Sequence, residues 1–156
     1  MPKPLWAPWR LEYIEHVDEE RGCIFCEPQD ELVVHRGADA FVVLNRFPYA
    51  SGHMLVAPFR HVADIGDLRD EEALEIHRLA SAAVGSLSQA YRAQGYNLGW
   101  NLGRIAGAGI ADHVHLHVVP RWAGDTNFMP VLADVKVLPQ ALVEAAHTLR
   151  AVWPTG

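Results

Sequence analysis

His113-Val114-His115-Leu116-His117-Val118-Val119 alternates an imidazole with an aliphatic side chain. On an extended strand alternate residues share a face, so the segment predicts three imidazoles in one row, spaced by about 6.6–7 Å. Val114, Leu116 and Val118 then point to the opposite face, toward a core. Three imidazoles on one buried strand face need a ligand, a metal or water as partner. Neutral imidazole is nucleophilic near pH 7, and its cation donates to phosphate oxygens. The row therefore suits phosphoryl chemistry. A trihistidine metal site of a metal-dependent hydrolase is the alternative reading of the same residues.

Upstream lies Gly103-Arg104-Ile105-Ala106-Gly107-Ala108-Gly109. Small residues let backbone N–H groups approach an anion closely, and Arg104 can add a charge-assisted bond to a polyphosphate. A second cluster is Cys23-Ile24-Phe25-Cys26, whose spacing fits half of a metal site or a redox pair.

Working outward, Leu32–His35 and Phe41–Asn45 read as a hairpin turning at Gly37-Ala38-Asp39, and His53–Ala57 as a third strand. Ile76, Leu79, Ala80, Ala83, Val84, Leu87, Ala90 and Tyr91 form one helical stripe, which predicts a long helix over 70–94 capped by Asp70 and Gly95. Asn97–Asn101 and His113–Val119 read as two more strands, and 138–153 as a C-terminal helix with Pro139 in its first turn. Hairpin-linked strands with a helix across one face predict an α+β domain: a mostly antiparallel five-stranded sheet, a long helix and a C-terminal helix. Residues 1–20, with Trp6 and Trp9, read as an ordered arm packed on the body or on a partner subunit.

The 156 residues fit one domain spanning 1–156, with 50% hydrophobic and 21% charged residues. A net charge of −6 argues against a nucleic-acid partner, which needs a basic footprint. No apolar run approaches the roughly 20 residues of a membrane span, and the N-terminus carries no apolar export signal, so the expected location is cytoplasmic. His16, His77 and His147 read as surface or packing residues.

The alternating segment matches the His-φ-His-φ-His-φ-φ signature (φ apolar) at every position, and the chain resembles the histidine triad superfamily. Leu44-Asn45-Arg46-Phe47-Pro48-Tyr49-Ala50-Ser51-Gly52-His53-Met54-Leu55-Val56 is similar to that family's strand–turn–strand, and the Cys23/Cys26 pair to the N-terminal thiols of many bacterial members. Trp6-Ala7-Pro8-Trp9-Arg10, Tyr13 and the run from Pro120 to Phe128 resemble the branch that contains actinobacterial diadenosine tetraphosphate phosphorylases.

The resemblance implies an enzyme that splits adenosine phosphoanhydrides through a nucleotidyl-histidine. His115 would be the nucleophile, His117 a phosphate ligand, and His53 and His113 their neighbours in the site. Asn45 would hold the ribose, Phe41 and Leu44 the base, and Asn101, Gly107 and Gly109 the phosphates. The implied substrates are adenine nucleotides or dinucleoside polyphosphates, with inorganic phosphate as leading acceptor. Hydrolysis by water, cleavage of nucleoside phosphoramidates and a nucleotide-binding module without turnover are the alternatives. The resemblance also implies a structural zinc on Cys23, Cys26, His61 and His113, with His35 as a replacement ligand. It implies no organic cofactor, and a homodimer in which Trp122 and the arm supply interface aromatics. Where many members carry Gln-Ser or Gln-Thr before the first histidine, this chain has Gly109-Ile110-Ala111-Asp112, so backbone amides or Arg104 would replace that contact.

Overall fold

The computed structural model describes residues 22–108, 110, 112–125 and 141–155. The expected arm, Gly109, and Pro139 in the first turn of the last helix lie outside these residues. Five strands form one antiparallel sheet: β1 (Val33–Arg36), β2 (Ala40–Leu44), β3 (Met54–Pro58), β4 (Gly95–Trp100) and β5 (Leu116–Arg121), in the order β1-β2-β3-β5-β4. Helix α1 (Asp70–Tyr91) lies between β3 and β4 in sequence, and α2 (Leu142–Ala151) follows β5. The expected α+β architecture is the one observed. Among the described residues no helix is long and apolar enough to cross a membrane.

The sheet's helix-side face is set by register. Val42 pairs with Val56, which pairs with Leu116, and all three are buried. The apolar stripe of α1 supplies Ile76, Leu79, Ala80, Ala83 and Leu87 to the same core, and α2 adds Ala145, Ala146 and Leu149. These contacts remove a continuous apolar layer from water, which is the main favourable term in folding.

The β1–β2 hairpin is fastened to α1 by Glu75, whose carboxylate accepts from the backbone N–H groups of Ala38, Asp39 and Ala40 at 3.0, 2.5 and 2.6 Å. Burial opposes its charge, yet these three donors hold its pKa below the ordinary carboxylate value.

Both ends of the long helix differ from expectation. Asp70 is the first helical residue, and Arg69 is the cap. The Glu72 carboxylate reaches back to the Arg69 N–H at 2.8 Å, so the acid three residues into the helix does the capping. The helix stops at Tyr91, not at 94, because Arg92 takes a left-handed conformation with φ 52°. Gln94 then donates its N–H to the Arg121 carbonyl at 2.9 Å, and Gly95 opens β4 where a helix cap was expected.

The predicted strand over 113–119 is displaced as well. Its ladder runs from Leu116 to Arg121: pairing with β3 stops at Val56, and β4 ends at Trp100, both opposite Leu116. Val114 sends its N–H to the Val62 carbonyl at 2.7 Å instead. His113 and His115 therefore precede the sheet, and only His117 stands on it.

Candidate functional site

Strand pairing places one row of residues across the sheet: Val43 opposite Leu55, Leu55 opposite His117, and His117 opposite Gly99. Directly paired residues share a face, so Val43 and Leu55 form an apolar floor beside the His117 imidazole. Leu44 pairs with Met54, which pairs with Val118, so it points to the helix side. That register corrects the expectation that Leu44 flanks a base. Phe41 is on the His117 side but fully buried, its ring 5.2 Å from Phe59 and 6.4 Å from Phe25.

His53 enters from the turn before β3. Gly52 makes that turn with φ +82°, and a Cβ there would sit 2.6 Å from Leu87 Cδ2. Glycine alone satisfies both the backbone conformation and the space. His53 is fully buried and belongs to a directed chain of hydrogen bonds. The Tyr49 N–H donates to His53 Nδ1 at 3.0 Å, so the proton of His53 is on Nε2. His53 Nε2 lies 2.9 Å from His117 Nδ1, which must accept. The neutral His117 ring consequently carries its proton on Nε2; the Asn101 amide nitrogen lies 3.5 Å from it, and the amide accepts that proton only with its oxygen turned to the ring.

The His115 tautomer is fixed independently. Its Nδ1 is 2.9 Å from the His113 carbonyl, and a carbonyl can only accept. The proton is therefore on Nδ1, and Nε2 carries the lone pair. Burial lowers the pKa of His115 against the effect of that bond, which keeps the ring neutral at pH 7. The ring centroids of His115 and His117 are 5.0 Å apart. The site thus sets a lone pair on one imidazole beside an N–H on the next.

His113 leaves this row. It is fully buried, donates Nε2–H to the Pro58 carbonyl at 2.8 Å, and turns Nδ1 to Cys23 Sγ at 3.3 Å and Cys26 Sγ at 3.7 Å. Cys26 Sγ also lies 3.3 Å from His61 Nδ1. One ligand atom from each of Cys23, Cys26, His61 and His113 falls within 4.8 Å of the others. Two thiols and two imidazoles are the donor set of a tetrahedral zinc site, and the Pro58 carbonyl holds His113 in the tautomer that frees Nδ1. The donors fit zinc. His35 is not among them; its ring stacks on Trp153 at 5.1 Å, far from its expected role as a spare ligand. The three triad imidazoles do not converge on one point, which removes the geometric basis for a trihistidine metal centre.

Of the other residues singled out, Asn45 is half-buried. Its side-chain oxygen accepts the Phe47 N–H at 2.9 Å, and its amide nitrogen is 3.4 Å from His53 Nδ1. Arg104 is exposed in a short 3-10 turn (Arg104–Ala106) that ends at Gly107 with φ +92°. Trp122 donates its indole N–H to the Tyr91 carbonyl at 3.1 Å, tying the end of α1 to β5 within the chain. His77 and His147 are exposed on the helices, as expected. Phe25, Tyr49, Val43 and Leu55 belong to the site and were not singled out. Val43 and Leu55 were legible from alternation with their neighbours, whereas Tyr49 comes from the turn before β3 and reaches the site by its N–H to His53 and by its ring, 4.6 Å from the His53 ring and 6.0 Å from that of His117.

The sheet, the paired imidazoles and the thiol–imidazole cluster together are those of a histidine triad protein. The chain belongs to the HIT domain family, whose model matches residues 27–124. It is 36% identical to an AP-4-A phosphorylase from Mycobacterium tuberculosis, an alignment covering 96% of this chain and 83% of the relative. An adenosine 5'-monophosphoramidase from Schizosaccharomyces pombe is 35% identical over 64% of this chain and 74% of its own. Among solved structures, a Zn-bound histidine triad family protein from Mycobacterium smegmatis superposes with a TM-score of 0.69 at 25% identity, covering 85% of this chain and 93% of that one.

Proposed function

We propose that the protein is a nucleotidyl transferase that splits dinucleoside polyphosphates, foremost diadenosine tetraphosphate, with inorganic phosphate as acceptor. The observation that carries this reading is the His115 tautomer, with its lone pair on Nε2 beside the Nε2–H of His117. His115 Nε2 attacks the α-phosphorus. A P–N bond forms, the bond from that phosphorus to the bridging oxygen breaks, and ATP leaves. His117 donates to the phosphoryl oxygens as their charge develops. An oxygen of inorganic phosphate then attacks the same phosphorus, the P–N bond breaks, and ADP is released with His115 neutral again. The 36% identity to a phosphorylase over nearly the whole chain supports phosphate over water as acceptor.

In this reading the base lies against Val43 and Leu55, and Asn45 holds the ribose. Asn101, Arg104 and the amides of Gly107 and Gly109 bind phosphate oxygens. Cys23, Cys26, His61 and His113 would hold a zinc ion, which would cross-link the N-terminal loop, the segment after β3 and the triad. A reduced thiol pair of this kind fits a cytoplasmic protein. The assembly is a homodimer joined through β4, an edge strand hydrogen-bonded to β5 alone among the described strands, and the chain forms one domain. Sedimentation at a monomer mass would reject the dimer.

Incubation with diadenosine tetraphosphate, with and without phosphate, tests the reaction. ADP plus ATP is expected only when phosphate is present. AMP plus ATP would show water as acceptor and favour the hydrolase reading. Turnover by His115→Asn equal to that of the wild type would reject covalent catalysis by His115.

A further inference from the structure

The Cys23–Cys26 loop does more than present two thiols. It is a tight turn, with the N–H groups of Cys26 and Glu27 both reaching the Cys23 carbonyl at 3.0 and 3.2 Å. Of the two residues inside it, Ile24 faces solvent at 46% exposure while Phe25 is buried at 2%. The Phe25 ring lies 4.6 Å from the His115 ring, tilted by 32°, and 5.3 Å from the His113 ring. His117 stands on His115 at 5.0 Å, and the His113 carbonyl holds its Nδ1. The nucleophilic ring is therefore confined by Phe25 and His117 and pinned at one nitrogen.

We infer that Phe25 is a positioning residue for His115, seated by the same loop that carries the two metal-ligating thiols. The inference rests on the reading of His115 as nucleophile. An imidazole held by one hydrogen bond can still turn about its Cβ–Cγ bond, which exchanges the places of its two nitrogens. The Phe25 ring fills the space that such a turn requires. Truncating it leaves a void beside the imidazole that close packing does not heal. Water or a rotated ring then occupies it, and Nε2 no longer holds its attack position. Loss of metal frees the loop and has the same consequence, which links the cross-link to the chemistry without routing a step through it.

The test uses the full chain with zinc bound, as wild type, Phe25→Ala, Phe25→Leu and His115→Asn. Steady-state kinetics with diadenosine tetraphosphate and phosphate, zinc content, and long-range nitrogen–proton NMR of the imidazole rings are the readouts. Phe25→Ala is expected to lower kcat about 10- to 100-fold with KM within about 2-fold. Its His115 nitrogens should shift from a single tautomer toward an exchange average. Phe25→Leu, which refills much of the void, should recover most of both signals, and chelated wild type should show the Phe25→Ala spectrum. A Phe25→Ala protein with wild-type kcat and an unchanged His115 spectrum overturns the proposal. So does a Phe25→Leu protein as impaired as Phe25→Ala, because the contact would then be only structural. If Phe25→Ala fails to fold, the Phe25→Leu spectrum decides. Full turnover by His115→Asn would instead sink the nucleophile reading, and the His115 spectrum would still judge the Phe25 contact separately.

Discussion

His53 donates its Nε2–H to His117 Nδ1 at 2.9 Å, and this bond fixes which nitrogen of His117 can donate to a substrate. The Tyr49 backbone N–H starts the relay, so the direction of every proton in it follows from one amide. Replacing His53 by Ala leaves His117 free to place its proton on either nitrogen and to turn. We expect kcat to fall about 10- to 100-fold, the size seen when an orienting partner is removed from a functional histidine, while KM changes little. Steady-state kinetics under saturating phosphate checks this. A proportional rise in KM with kcat intact would place His53 in substrate binding instead.

The thiol–imidazole cluster predicts close to one zinc per chain in protein purified without added metal. Cys26→Ser replaces a thiolate with a poor zinc ligand, and metal content should drop well below the wild-type value. Because a structural zinc site contributes folding energy, chelation should also lower the thermal midpoint, and readdition of zinc should restore it. Elemental analysis and thermal denaturation measure the two effects. Wild-type protein carrying less than about 0.3 zinc per chain would contradict the site, given the tight binding such donors provide.

Much of this architecture was written in the residue pattern. The stripe from Ile76 to Tyr91 and the short apolar runs at 32–57 announce their helix and strands through their periods alone. The site was legible at His115, His117 and the two cysteines because spacing brings those groups together whatever the rest of the fold does. What was not legible depended on where a partner ends. Pairing stops at Val56 of β3 and at Trp100 of β4, both opposite Leu116, so the strand of the triad begins there and His113 is released to the thiols. Leu44 was misplaced although alternation already separates it from Phe41: residues three apart on a strand face opposite ways. Arg92 shows another limit. A non-glycine residue in the left-handed region ends α1 there, and nothing in its side chain signals it. Phe25 carries no signal of its own in the sequence, because only the fold of the Cys23–Cys26 turn sets its ring against His115.

Glu72 gives the fold an acid-sensitive anchor. Two hydrogen bonds from Arg60, at 2.9 and 2.8 Å, hold its carboxyl at about 2, well under the ordinary 4.5, and the Arg69 N–H adds to them. A depressed carboxyl pKa contributes stability that is complete above the unfolded value and is lost as pH falls through the folded one. The contribution should therefore be full at pH 7, decline below about 4.5 and disappear near 2. Glu72→Gln keeps the shape but loses the charge. We expect it to be less stable than the wild type by about 2 kcal/mol at neutral pH, with bonds to a charged group at stake. The gap should close on acidification. Urea midpoints across the pH series measure it, and a constant gap would mean the charge is not what matters.

Gly52 is where fold and site meet most tightly. Its φ of +82° disfavours any side chain, and a methyl group would stand 2.6 Å from Leu87 Cδ2. Leu87 is fully buried on α1 and has nowhere to retreat. Gly52→Ala combines a strained backbone with overpacking, each costing on the order of 1–3 kcal/mol, so a loss of about 2–4 kcal/mol is expected. The strain cannot relax upward without shifting His53, the very next residue, and with it the proton relay. The variant should therefore lose kcat even at temperatures where it remains folded. A control such as Leu149→Ala, fully buried on α2, removes core packing away from the turn, and should lose stability while its kcat at low temperature stays near the wild type. Urea denaturation paired with kinetics at the same temperature separates the two. Equal losses of kcat in both variants would show that the turn transmits nothing beyond general instability.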